Sequence, residues 1–503
     1  MATVIESLAG NGYVQAIAGY AVLLILIGWF VGNRVKSSSG FFVAGRKLGA
    51  GLLFTTLTAA NIGAGSTVGV AAIAYRSGVS AWWWIGSAGI GSMILAFWVG
   101  PRIWHIARRY DLYTLGDYLD KRYSKTFRGL FSSMMAVGTL ALFSGQLLGI
   151  AWILEVVAGV PKGAGVVAGA VVTTLYFAAG GLLSAAIVNL VELAVIMAGF
   201  LAALPYIHSF VGGWAGLAGK AAANIPDAAA RARYFSMDGI GLTVIIGYLV
   251  MLVPSFFISP GLIGKVFGAR DERAIKAGTA AGGIVQLFFA IIPVVIGMAA
   301  FASFPDLSRA DLALPTAMKE MMPFGVATLA LAAIFAAEVS TADAVLYMLA
   351  TSVSNDLYKT FLNPSVDDRK LLKISRAVTV VSGILGVVFA LFLDSIISAL
   401  TIFYSLMSVS LAAPLVFGLF TRLASSAGAL LSSVCGVALT LFCTFYTGSP
   451  SVDLIVGRLD TATHLVDFGF TKLNATTCGI LLTFVVMALS LLVLPSKNPV
   501  LDA

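Results

Sequence analysis

The chain has 503 residues, of which 59% are hydrophobic and only 11% charged. Soluble domains carry about 25% charged residues, so a mostly water-facing surface is excluded. The net charge of +8 would raise nucleic acid as a partner for a soluble protein. Here the basic residues fall in loops between apolar runs, and no nucleic-acid partner is expected.

Apolar runs of roughly 18 to 25 residues suffice to span a bilayer as helix. Thirteen such runs are predicted, at 12–32, 50–75, 80–100, 129–157, 163–179, 182–206, 239–263, 278–303, 324–354, 377–394, 397–420, 427–447 and 474–495. A β-barrel would show short alternating strands instead, so the expected fold is an all-α membrane protein with thirteen transmembrane helices. The 53 glycines follow no G-x-y period and suit helix packing in lipid. The first run is too long for a signal-peptide core and has no Lys or Arg before it, so it is expected to remain as an anchor.

With the N-terminus outside, most of the 31 Lys and Arg fall in cytoplasmic loops. They include Arg34, Lys36, Arg46, Arg102, Arg109, Lys121, Arg128, Lys265, Arg270, Lys359, Arg376, Arg422 and Lys497. The positive-inside rule therefore predicts an N-out, C-in, multi-pass protein of the bacterial inner-membrane type, bathed in lipid. Cys435, Cys443 and Cys478 are expected to be packing residues, and His105, His208 and His464 are too scattered for a metal or haem centre. No organic cofactor is expected.

Two runs are interrupted at mid-membrane. The second reads LTAANIGAGSTVGVAAIAY, with Asn61, Gly63, Gly65, Ser66 and Thr67 at its centre. The seventh reads YLVMLVPSFFISPGLIGKVF, with Pro254, Ser255, Ser259, Pro260 and Gly261. Such residues free backbone groups that lipid cannot satisfy, so the breaks are expected to line a cavity within the protein. Gly63 and Pro260 lie about 197 residues apart, and Ser144–Gln146 and Ser340–Thr341 are separated by a similar distance. Five spans from one break to the other is an odd number, which predicts two inverted five-helix repeats, at 50–206 and 239–422. Residues 1–49 hold an extra helix and loop, 207–238 an external loop, and 423–503 two extra helices. Transporters use this plan, with solute and ions at the unwound centres.

In span nine, Ala337, Ser340, Thr341 and Ala344 share one helical stripe. Two adjacent hydroxyls facing the break at Ala59–Ile62 suit a small hard cation that takes about five or six oxygens. Glu192 in span six and Glu338 and Asp343 in span nine are costly in a bilayer unless they face a cavity or partner. They are candidates to shape the field near an ion, carry protons, or tie helices together. Trp82–Trp84 open span three near the outer face, where Trp is usually a belt residue, and Phe143, Phe256, Phe257 and Tyr404 are candidate cavity walls.

The segments AANIGAGSTVG, YFAAGGLLSAAIVN and AAEVSTADAVLYMLATSVSNDLY resemble the sodium:solute symporter family over about residues 40–425. The resemblance implies a ten-helix inverted-repeat core of the leucine-transporter type, with one helix before it and two after. It implies a sodium site from the carbonyls of Ala59, Ile62 and Ala337 and the hydroxyls of Ser340 and Thr341. It places solute at Ser66, Thr67, Trp83, Ser144, Gln146, Phe257, Ser259 and Tyr404, and an ion route near Asn189, Glu192, Glu338 and Asp343. Val188–Asn189 stands where many members have Thr-Asp, and Ala337 where two-sodium members have a hydroxyl, which argues against a second sodium. Sugar-transporting members carry Gln at the Ser66 position and Glu within the tryptophan cluster, so a sugar is disfavoured. The expectation is sodium-coupled symport of a small organic solute by a transporting unit that is a monomer and not an enzyme. The rivals are a proton-coupled porter using Glu192, Glu338 or Asp343, and a membrane enzyme subunit or sensor.

Overall fold

A computed structural model describes residues 10–32, 42–445, 451–454, 457–460, 465–467, 472–494 and 496. Arg34, Lys36, His464 and Lys497 lie outside them. Helix α1 (Gly12–Gly32) is the first apolar run. The second run is split, with α2 (Ala50–Asn61) and α3 (Val68–Ser77) flanking non-helical residues 62–67. Helix α4 (Trp82–Ile94) passes through a π turn at Leu95–Val99 into α5 (Gly100–Arg109). Next come α6 (Leu115–Arg122), started by a Thr114–Asp117 capping box, and α7 (Lys125–Ala158). The Ser124 hydroxyl accepts the Phe127 N–H at the start of α7, and left-handed Gly159 (φ 64°) ends it.

Helix α8 (Lys162–Val211) is followed by the short α9 (Gly213–Asn224) and α10 (Ala228–Tyr234). The seventh run is again split, into α11 (Leu242–Ile258) and α12 (Pro260–Phe267). Then follow α13 (Glu272–Phe289), α14 (Ile291–Ser303), α15 (Ala313–Glu320) and α16 (Phe324–Thr351), the last continuing as a π-helix over Ser352–Leu362. The chain closes with α17 (Asp368–Phe392), α18 (Ile396–Phe420), α19 (Ser426–Phe445) and α20 (Ala475–Val493). Between the last two lies an antiparallel meander, β1 (Ser451–Leu454), β2 (Gly457–Asp460), β3 (Leu465–Asp467) and β4 (Lys472–Asn474), where only a loop was expected. Cys443 and Cys478 pack beside it with Val466, Leu473 and Ala475.

Among the described residues, eleven segments are long and apolar enough to cross a membrane, with a shorter apolar helix at Lys162–Leu175. Thirteen were expected. The difference has a physical origin: the halves of the split second run have 12 and 10 residues, and about 20 are needed for a span. The spans expected separately at 163–179 and 182–206 form one helical element of 50 residues. The intervening AAGGLLSAA carries no proline to stop it. Straight, that element would measure about 75 Å, more than twice a hydrocarbon core. Each half packs on the bundle by itself. Gly165 and Gly169 lie against Ala151 and Ile150 of α7, and Gly199 lies against Ala330 and Ala333 of α16.

Helix α16 runs through the centre, buried at every residue from Ala333 to Asp343 and packed on α2, α7, α8 and α17. Leu26, Trp98, Phe288, Ile384, Phe392 and Leu492 are exposed on the outside, an apolar belt suited to lipid rather than water. Lys265, expected in a cytoplasmic loop, is instead buried in α12 with 1% exposure.

Candidate functional site

The first break rests on an exchange of hydrogen bonds. In a continuous helix the N–H groups of Gly63 and Ala64 would bond to the carbonyls of Ala59 and Ala60. Instead Gly63 N–H donates to Ser66 Oγ (2.9 Å) and Ala64 N–H to Gln146 Oε1 of α7 (2.9 Å). Ile62, at φ −100° and ψ 86°, turns the chain out of the helix. The released Ala59 carbonyl accepts Ser340 Oγ at 2.9 Å, and the Ala60 carbonyl accepts Thr341 Oγ1 at 3.1 Å. Thr341 Oγ1 also reaches the Ala59 carbonyl at 3.4 Å, and Ser340 Oγ the Ala337 carbonyl at 3.0 Å. Four of the five groups assigned to the ion thus converge between α2 and α16. Among the described residues no hydrogen bond joins the Ile62 carbonyl to them.

These oxygens are fit for a hard cation. Each hydroxyl carries lone pairs as well as a proton, so it can turn from donating to a carbonyl to coordinating a metal ion beside it. Close approach requires glycine at 63, where a Cβ would sit 2.2 Å from Thr341 Oγ1 and 2.7 Å from Gln146 Oε1.

A cavity of about 60 Å3 opens beside this cluster. The first break contributes Asn61, Gly65 and Ser66, α16 contributes Thr341 and Met348, and Gln146 comes from α7. Trp84, Phe256, Phe403 and Tyr404 form an aromatic wall, with Trp84 edge-on to Tyr404 at 6.2 Å between ring centroids and Phe256 at 5.8 Å from Tyr404. Among the described residues, no charged side chain lines it. Gln286 of α13 projects in, its Oε1 accepting from Ser92 Oγ (2.9 Å) and Asn61 Nδ2 (3.5 Å). Gln286 Nε2 is buried without a protein partner.

Of the residues expected to hold solute, Ser66, Gln146, Ser259 and Tyr404 line this cavity. The other four do not. Thr67 Oγ1 donates to the Gly63 carbonyl (2.9 Å) and to Glu338 Oε1 (3.2 Å). Trp83 Nε1 donates to the Met237 carbonyl (2.8 Å) in the covering loop, and its neighbour Trp84 takes the cavity position. Ser144 Oγ donates to the carbonyls of Leu140 (2.8 Å) and Gly386 (3.0 Å), toward α17. Phe257 is buried away from the cavity, which Phe256 faces. The Ser66 N–H donates back to the Gly63 carbonyl at 3.0 Å.

The membrane-buried carboxylates fall into two places. Glu338 faces Thr67 and fits over Gly149, where a Cβ would lie 2.6 Å from its Cδ. Glu192 and Asp343 lie near each other and near Lys265, whose Nζ donates to the Thr56 carbonyl at 2.6 Å. With its amide oriented to satisfy its neighbours, Asn189 donates to Glu192 Oε2 (2.7 Å) and accepts from Thr56 Oγ1 (3.0 Å).

The comparisons with known proteins agree with this architecture. The sodium/pantothenate symporter of Escherichia coli (strain K12) is 27% identical over 430 residues, covering 83% of this chain and 87% of the relative. The sodium/glucose cotransporter of Vibrio parahaemolyticus is 24% identical over 504 residues, covering 92% and 90%. Among solved structures, a Na+-coupled sialic acid symporter in a substrate-bound outward-open state superposes with a TM-score of 0.77 at 17% identity, covering 97% of this chain and 99% of that one. At that identity the likeness shows the fold. The family model for sodium:solute symporters matches residues 41–436, and this multi-pass membrane protein belongs to the sodium:solute symporter family.

Proposed function

We propose that the chain moves a small organic acid or amino acid together with sodium by alternating access. Its core is read as two inverted repeats, at 50–206 and 239–422, within thirteen membrane crossings arranged N-out and C-in. The observation that carries this reading is the convergence of Ala59, Ala337, Ser340 and Thr341 oxygens beside the cavity. A sodium ion there binds α2 to α16, with the Ile62 carbonyl turning in as a fifth ligand. Thr341 belongs to both ion cluster and cavity, so solute and ion share one wall. Sodium enters with the membrane potential, which supplies about 2.3 kcal/mol per charge per 100 mV.

The solute class follows from what lines the cavity. It offers the Gln286 amide donor and an aromatic wall, with no charged side chain among the described residues. A carboxylate finds its counter-charge in the neighbouring sodium, and an apolar body finds Trp84, Phe256 and Tyr404. Asn189, Glu192 and Asp343 line the ion's way to the cytoplasm, while Glu338 braces Thr67.

Uptake in proteoliposomes under an imposed sodium gradient tests the reading. Two hydrogen bonds to a charged ligand are worth about 1.5–3 kcal/mol each. Ser340→Ala/Thr341→Ala protein is therefore expected to lose about 100-fold or more in sodium-driven uptake. Full uptake with an unchanged sodium dependence would sink the ion site.

A further inference from the structure

Lys265 is the one buried cation of α12, and neither the ion site nor the cavity uses it. It is 1% exposed, and Glu192 and Asp343, at 0% and 1%, are the carboxylates that act on it. Its Nζ is fixed on the Thr56 carbonyl at 2.6 Å. Thr56 precedes Ala59 by three residues on α2, and Asp343 follows Ser340 by three on α16. A step of three residues is nearly one helical turn. The ammonium therefore lies about one turn from the sodium oxygens along both helices that build them. Its surroundings repeat the chemistry of that site, a main-chain carbonyl from α2 and an oxygen-bearing side chain from α16, with carboxylates replacing hydroxyls. Glu192 Oε1 is buried without a hydrogen-bonding partner. Glu192 and Asp343 are buried close enough for their fields to reach the ammonium, so this pocket attracts positive charge, and burying such charge unpaired is costly.

We propose that Lys265 is a tethered cation, whose ammonium fills a second cation position formed by the Thr56 carbonyl, Glu192 and Asp343. The chain is thereby held to a single mobile sodium. This rests on the sodium site proposed above and explains from within the chain why a second ion finds no vacancy. When α12 moves with the cavity, the ammonium leaves the Thr56 carbonyl, and the exposed carboxylates draw the departing sodium inward.

Counting bound 22Na+ on purified protein tests both layers separately. Wild type is expected to bind one equivalent and Lys265→Ala two, with the second lost again in Lys265→Ala/Asp343→Asn. Ser340→Ala/Thr341→Ala is expected to bind none, but to keep one equivalent when Lys265→Ala is added. Sodium retained by Ser340→Ala/Thr341→Ala alone would defeat the first site and leave the Lys265 comparison standing. A monodisperse Lys265→Ala protein that binds only one equivalent overturns the tethered cation, as does a second sodium that survives Asp343→Asn. Should Lys265→Ala be recovered only as aggregate, the count is made on Lys265→Gln/Glu192→Gln, which keeps the formal charge of the cluster. Binding of a second equivalent there, at about 10-fold weaker affinity than the first, supports the proposal, and its absence overturns it.

Discussion

The two breaks occupy matching places in the chain and are made by different means. The first spans residues 62–67, contains no proline, and is held open by side chains that intercept backbone donors, Ser66 from within and Gln146 from α7. The second is a single residue, Ser259 at φ −54° and ψ 125°, followed by Pro260 at the start of α12. There the proline N–H is missing and Ser259 turns the chain, so the Phe256, Phe257 and Ile258 carbonyls lose their helical donors. An intercepted helix releases several carbonyls together, aimed by whatever captured their partners. A proline step removes one donor outright and redirects the wall. Equal spacing thus marks two bends, and at the first the released carbonyls of Ala59 and Ala60 meet the hydroxyls of Ser340 and Thr341.

If that distinction holds, damage to the first break strikes sodium. Gly63→Ala places a methyl 2.2 Å from Thr341 Oγ1 and 2.7 Å from Gln146 Oε1, so both must move. Overpacking of this kind costs about 1–3 kcal/mol, and the half-saturating sodium concentration should rise about 10- to 100-fold. Sodium-titrated uptake measures it, and an unshifted midpoint would show that the contact is not part of the ion site. Gln146→Leu removes the acceptor of the Ala64 N–H. A buried unpaired donor costs about 1–3 kcal/mol, so sodium affinity should weaken about 10-fold and the melting temperature should fall. An unchanged melting temperature with normal sodium affinity would mean that the break does not depend on this interception.

Much of this was readable before any coordinates, for identifiable reasons. Hydropathy and Gly/Pro content located both breaks, and Ala337, Ser340 and Thr341 share a stripe because α16 is continuous α-helix from Phe324 to Thr351. The cavity wall was less legible. Three consecutive tryptophans point about 100° apart on a helix, and sequence does not give the phase that selects Trp84 over Trp83. The same ambiguity separates Phe256 from Phe257. Gln286 was visible as a polar residue in the apolar GGIVQLFFAIIP but had no second break beside it to draw notice. Lys265 was lost to a boundary: ending the span at 263 turned a buried ammonium into a loop charge.

A substitution at Gln286 is the test that separates solute from ion. Gln286→Leu removes the unpartnered Nε2 and keeps the bulk, so the solute KM should rise about 10-fold with no change in sodium midpoint. Equal shifts in both would place Gln286 in the ion site and erase the division between wall and ligand.

Pro260→Ala is the mildest probe and the sharpest for the comparison. It returns an N–H to α12 while the flanking bonds, Ser259 N–H to the Ser255 carbonyl (3.1 Å) and Ile263 N–H to the Ser259 carbonyl (2.9 Å), already hold the chain on both sides. The restored donor competes for the Phe256 carbonyl and eases the bend, at a free-energy change of about 1 kcal/mol or less. Solute KM should therefore move by no more than about 5-fold, because the Phe256 ring shifts with its backbone, while the sodium midpoint stays put. A sodium shift as large as that of Gln146→Leu would mean that the second break also supplies the ion, and the two bends would then be chemical equals after all.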